Sequence, residues 1–244
     1  MEKNPSFLAK YIPNTVTLLS LCSGLTSIRF SILNDWQTAI LLIVFAAILD
    51  FFDGWFAKKL RGEGSSFGAE LDSLNDVISF GVAPGVLIYL WSSFELGSLG
   101  WSATLFFVIC SALRLARFTA DIYIAPKNID PKIYFTGVPS PGGAGLCLLP
   151  VFFVFEFDIL FFRDPYFNVV NLLVIGFLLI SRIPTISLKD IYFNKKYTPW
   201  IFLLITVLCI GLFSNVWITL VFVGCTYIIS ILFTVLKIIN NRLI

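Results

Sequence analysis

The 244-residue sequence has no histidine, one methionine and only 13% charged residues. Without histidine, both the usual general base near neutral pH and the commonest transition-metal ligand are missing, so proton or metal chemistry falls to carboxylates. Soluble domains carry roughly a quarter charged residues, and the shortage here excludes an ordinary water-soluble fold. A formal net charge of +2 is too small to serve a phosphate backbone, so no nucleic-acid partner is expected. The five cysteines, Cys22, Cys110, Cys147, Cys209 and Cys225, show no paired spacing. They fit neither a disulfide framework nor a zinc site, and read as small buried hydrophobes. The start, MEKNPSFLAK, lacks the pattern of a cleaved signal peptide, so the first span is expected to be retained. No internal repeat or low-complexity tract is visible.

What fills the chain instead is apolar: 58% hydrophobic residues, with 26 Phe and 6 Trp. Runs of about twenty such residues recur from end to end, each long enough to cross a hydrocarbon core of roughly 30 Å. The stretches between them are too short for a second core, so any chemistry is built from the spans and their loops. Apolar length bounded by polar or turn residues predicts eight helices, at 12–33, 37–60, 72–92, 98–120, 142–162, 166–188, 197–213 and 215–237. Fifteen of the 17 basic residues then fall on one side, leaving only Arg29 and Arg163 on the other. Positive charge accumulates on cytoplasmic loops. The expectation is an all-α polytopic bundle of about eight spans, both termini cytoplasmic.

Carboxylates inside spans cost roughly 2.5–3.5 kcal/mol each at a helix centre, so their placement carries information. In AAILDFFDGWFAKKL, Asp50 and Asp53 share a narrow stripe with Gly54 and Ala57. In FGAELDSLNDVISFG, Gly68, Asp72 and Asp76 are spaced by four, again on one face. Two helices joined by a short loop turn these faces together. Four like charges in one place repel unless cations neutralise them. Oxygen-only ligands select hard cations, Mg²⁺ or Mn²⁺, and a pair of them would clamp a diphosphate. The small residues leave room for a nucleotide or for close helix contact. The competing reading, loop-proximal aspartates solvating helix ends, suits any one of these residues better than all four.

The run Asp50-x-x-Asp53-Gly54-x-x-Ala57-Lys58, followed by Gly68-x-x-x-Asp72-x-x-x-Asp76, resembles the signature of the CDP-alcohol phosphatidyltransferases. Lys58 stands where that family usually has Arg, keeping the charge but losing the bidentate fork. The resemblance implies a transmembrane, usually homodimeric enzyme that displaces CMP from a CDP-linked lipid with an alcohol. Carried over by position, Asp50, Asp53, Asp72 and Asp76 hold two divalent ions, and Asp76 also deprotonates the acceptor hydroxyl. Gly54, Ala57, Lys58, Ser65, Ser66 and Gly68 would contact the CDP moiety, with Asn14 and Thr17 of PNTVT lining the nucleotide pocket.

Further segments, LDSLNDVISFGVAPG, ALRLARF, FTGVPSPGGAG and SRIPTISLK, are similar to the bacterial integral-membrane branch of that family that makes phosphatidylserine. This implies CDP-diacylglycerol and L-serine as substrates, and residence in the bacterial cytoplasmic (inner) membrane. The resemblance covers a catalytic bundle at 1–190, of about six spans, and leaves 191–244 as two additional spans without a motif. Arg114, Arg117 and Arg182 are candidates for phosphate or the serine carboxylate. A positive-inside anchor accounts for them equally well. Basic residues near the aspartates place the site at the inner interface: Asp53 and Lys58 are separated by about 7.5 Å of helix rise. Two rivals stay open: a relative using glycerol 3-phosphate or an inositol phosphate as acceptor, and an ion-coupled transporter with carboxylates along an ion path.

Overall fold

The computed structural model describes residues 7–61, 66–124, 134–181, 184–186 and 198–242. In lipid every backbone polar group has to be satisfied internally, and the chain does this with helices. Helix α1, Phe7–Ile32, turns through Asn34, whose left-handed φ of 60° asparagine tolerates, into α2, Trp36–Arg61. Asp35 caps α2 by accepting from the Thr38 N–H at 3.2 Å. The third segment is interrupted: α3, Ser66–Asp76, runs into a π turn, Val77–Val82, and then α4, Ala83–Trp91. After a 3₁₀ turn and Gly97 come α5, Ser98–Ile124, α6, Ser140–Phe157, and α7, Pro165–Ile180. Asp164 caps α7 at the Phe167 N–H, 2.9 Å away, with Pro165 in the first turn. Helices α8, Thr198–Ser214, and α9, Val216–Arg242, follow, divided at Asn215.

All eight segments expected to be helical are so, with shifted ends. Six of them are long and apolar enough to cross a membrane, while α7 is apolar but only 16 residues long. The expectation of one helix over 166–188 is corrected. Helix α7 stops at Ile180, Ser181 adopts ψ 152°, and Pro184–Ile186 (β2) pairs antiparallel with Tyr134–Thr136 (β1). Pro184 has no N–H to continue a helical ladder. The segment expected over 142–162 likewise ends at Phe157, where Asp158 turns left-handed and a 3₁₀ turn, Leu160–Arg163, follows.

The core joins Ala39, Ile40, Phe80, Leu87, Phe107 and Leu148, all within 1% of full burial. Outward faces carry Leu18, Phe45, Ile109, Phe177 and Phe222 in the open. Apolar residues inside and outside alike, on helices of spanning length, make this an integral membrane protein.

Polar contacts fasten the first two helices. Ser20, Ser23 and Ser27 of α1 donate to the carbonyls of Ala46, Leu42 and Ala39 of α2, at 3.0, 2.8 and 2.8 Å. As one index rises the other falls in step, so the pair is antiparallel and its register is held at three heights. Small residues on this stripe also admit the π turn. A Cβ on Gly24 would lie 2.8 Å from the Ser79 Cα. Gly24→Val is therefore expected to push α1 off the π turn and to cost about 1–3 kcal/mol, as overpacking does, outweighing the few tenths gained in helix propensity. The measurement is the thermal unfolding midpoint in detergent; an unchanged midpoint would show that this contact relaxes freely.

Candidate active site

Helix α2 ends at Arg61 and α3 begins at Ser66, and both pack against α1. Spacings of three and four then turn Asp50, Asp72 and Asp76 to one point, where an oxygen from each lies within 4.8 Å of the others. Asp53, one turn beyond Asp50, is outside this group of three and faces Thr17 of α1. Asp53 is 5% exposed, and its Oδ2 is buried without a hydrogen-bond partner among the described residues. Thr17, also buried, donates to the Pro13 carbonyl at 3.0 Å. Asn14 lies one turn before it on the same face and is half-buried.

Beside Asp76 stand Ser140, at the start of α6, and Arg114 of α5. An Arg114 Nη1 N–H donates to the Ser140 hydroxyl. Asp76 Oδ1 and Arg114 Nε are buried and unpaired among the described residues. Behind Asp76, fully buried Asn75 accepts from the Ser79 hydroxyl at 2.9 Å. The π turn thus begins directly after the last aspartate and anchors it to α1 through Ser79. Opposite charge next to Asp76 and three clustered carboxylates in an apolar bundle make a site that attracts a cation and an anion together.

The other expected residues divide. Gly54 is exposed, and a Cβ there would meet nothing within 4 Å, so open space adjoins the aspartates. Gly68 is half-buried on α3. Ala57 and Lys58 lie on the last turns of α2 and Ser66 starts α3, their side chains being outside what is described. Ser65 and Arg182 lie outside the described residues altogether. Arg117 parts company with Arg114: its Nη1 donates to the Ile180 carbonyl at 2.8 Å, closing the C-terminus of α7.

Three residues at the site were not singled out from sequence. Ser140 sits in FTGVPSPGGAG, but nothing local marks it as the Arg114 acceptor. Asn75 had a signal, being an amide inside an apolar span. Tyr227 of α9 packs its ring on Gly142, with its hydroxyl buried and without a partner among the described residues; a tyrosine three residues after Gly224 in mid-span was the available hint.

Residues 10–235 match the sequence model of the CDP-alcohol phosphatidyltransferases, a range that takes in α8 and most of α9. A CDP-diacylglycerol–serine O-phosphatidyltransferase of Mycobacterium leprae is 37% identical over 186 residues, 76% of this chain and 61% of that protein. The chain therefore spans less than two thirds of that relative. The protein of the same description from Helicobacter pylori is 33% identical over 246 positions, covering 99% of this chain and 98% of the relative. A third, from Bacillus subtilis, is 32% identical over 173 residues, 71% of this chain and 88% of the relative. With a family match across nearly its whole length and the signature aspartates gathered on α2 and α3, this chain belongs to the CDP-alcohol phosphatidyltransferase family.

Proposed function

We propose that this protein is a phosphatidylserine synthase, which transfers the phosphatidyl group of CDP-diacylglycerol to the hydroxyl of L-serine and releases CMP. The observation that carries the reading is the convergence of Asp50, Asp72 and Asp76 beside the Arg114–Ser140 pair, in a chain that aligns end to end with a relative of that description.

The residues fit a divalent cation. The donor set is all oxygen, and a buried carboxylate oxygen of Asp53 has no other partner among the described residues. Asp50, Asp53, Asp72 and Asp76 would hold two such ions, Mg²⁺ or Mn²⁺. When bound, the ions would neutralise the diphosphate and stabilise CMP as leaving group. The remaining work belongs to the chain. Asp76 Oδ1 accepts the proton of the serine hydroxyl as its oxygen bonds to the lipid-linked phosphorus and the bond from that phosphorus to CMP breaks. Arg114 and Ser140 hold Asp76 in place and leave its free oxygen pointing at the reaction. Asn14, Thr17, Gly54, Ala57, Lys58, Ser65, Ser66 and Gly68 form the CDP side. Arg114 is better placed for the acceptor than Arg117, which is engaged at Ile180; Arg182 is kept as a candidate on charge alone.

In this reading the eight helical segments cross the bacterial inner membrane with both termini and the site at the cytoplasmic face, supported by the one-sided distribution of basic residues. Residues 1–190 form the catalytic bundle and 191–244 the added pair of helices, and the working unit is a homodimer, as the family resemblance implies.

An acceptor panel tests the assignment. Purified protein with CDP-diacylglycerol and a divalent metal is expected to release CMP with L-serine and not with glycerol 3-phosphate or an inositol phosphate. The reverse preference would move the chain to another branch of the family. No release with any acceptor would remove the transferase reading in favour of an ion path.

A further inference from the structure

The last helix reaches the site although no motif marks it. Helices α9 and α6 cross closely, with a glycine on each. A Cβ on Gly224 would meet Leu149 Cδ1 at 2.6 Å, and one on Gly142 would meet the Tyr227 ring at 3.1 Å and its hydroxyl oxygen at 3.2 Å. Tyr227 follows Gly224 by three residues and so shares its face. Gly142 follows Ser140 by two, and Ser140 is where Arg114 donates. The crossing thus delivers the Tyr227 hydroxyl to the Arg114 side of Asp76, where Arg114 is its charged neighbour. Tyr227 Oη, Arg114 Nε and Asp76 Oδ1 are all buried there with no partner among the described residues. The first two can donate and the third can only accept when ionised. Buried polar atoms are normally satisfied, and these three ask for a small molecule with an anionic group close to a hydroxyl.

We propose that Tyr227 is a specificity-determining residue for the acceptor: its hydroxyl and the Arg114 Nε–H donate to the acceptor's carboxylate, while Asp76 receives the proton of the acceptor's hydroxyl. This rests on the serine-transferase reading above. A serine carboxylate lies only two carbons from the hydroxyl carbon, matching a site whose donors and acceptor are packed around one arginine. The C-terminal pair of helices, in this view, carries part of the acceptor subsite.

The experiment compares wild type with Tyr227→Phe, as full-length protein in detergent with CDP-diacylglycerol and Mg²⁺, varying each substrate in turn. Losing one hydrogen bond to a charged group is expected to raise KM for L-serine about tenfold or more, with kcat and KM for CDP-diacylglycerol within about twofold of wild type. An unchanged serine KM would overturn the proposal. Equal losses in kcat and both KM values would overturn it as well, marking Tyr227 as packing on Gly142 alone. Failure of the underlying reading appears first in the wild type: CMP release with glycerol 3-phosphate but not serine cancels the function and the carboxylate assignment together.

Discussion

CMP release is expected to stop when EDTA removes divalent cations and to return when Mg²⁺ or Mn²⁺ is added back. The reason is electrostatic. Asp50, Asp72 and Asp76 bring oxygens within 4.8 Å of one another, and two unit charges about 4 Å apart repel by roughly 4 kcal/mol at an effective dielectric of 20. One arginine beside Asp76 offsets only part of that, and the substrate adds the negative charge of a diphosphate. Without cations the site and its substrate oppose each other, so the expected loss on chelation is complete rather than partial. The measurement is CMP release before and after chelation, with metal content checked directly. Full activity in verified metal-free protein would overturn the assignment of these aspartates as cation ligands.

Asp76→Asn is expected to lower kcat at least about 100-fold, the low end for removing a general base, with CDP-diacylglycerol binding largely kept. The substitution preserves shape and one coordinating oxygen but cannot take a proton. Asp76 differs from its neighbours in having both a partnerless buried oxygen and a basic side chain, Arg114, beside it. Asp50 and Asp53 come from the other helix and are assigned to cations alone, so Asp50→Asn is expected to weaken metal and nucleotide binding together. Normal turnover in Asp76→Asn, or a defect that excess Mg²⁺ repairs, would show that the proton leaves by another route.

Much of this arrangement was legible because it rests on local periodicity. Offsets of three and four marked the faces on which the aspartates stand, and three of the four, Asp50, Asp72 and Asp76, meet as expected, while Asp53 turns to Thr17. What escaped depends on distant partners. The segment after Ile180, SRIPTISLK, gives no local hint that Pro184–Ile186 pairs with Tyr134–Thr136. Arg114 and Arg117, three residues apart, looked interchangeable, yet one meets Ser140 and the other a helix terminus. The serines of α1 are nearly neutral in hydropathy, so a stripe that fixes helix register passed as background.

The π turn after Asp76 gives the third segment two phases. A π turn carries about one residue more than the α-helix it replaces, and each residue advances the face by roughly 100°. Upstream of Val77 the helix is in phase with α2, presenting Asp72 and Asp76. Downstream of Val82 it is in phase with the core, presenting Leu87, Ile88 and Trp91, all buried. An uninterrupted α-helix of the same sequence would satisfy one set and rotate the other into lipid. A single-residue deletion between Val77 and Val82 therefore differs in kind from an insertion there: the deletion removes the extra residue and leaves an α turn with both faces still in phase, whereas an added residue puts the aspartates and the hydrophobic anchor out of step.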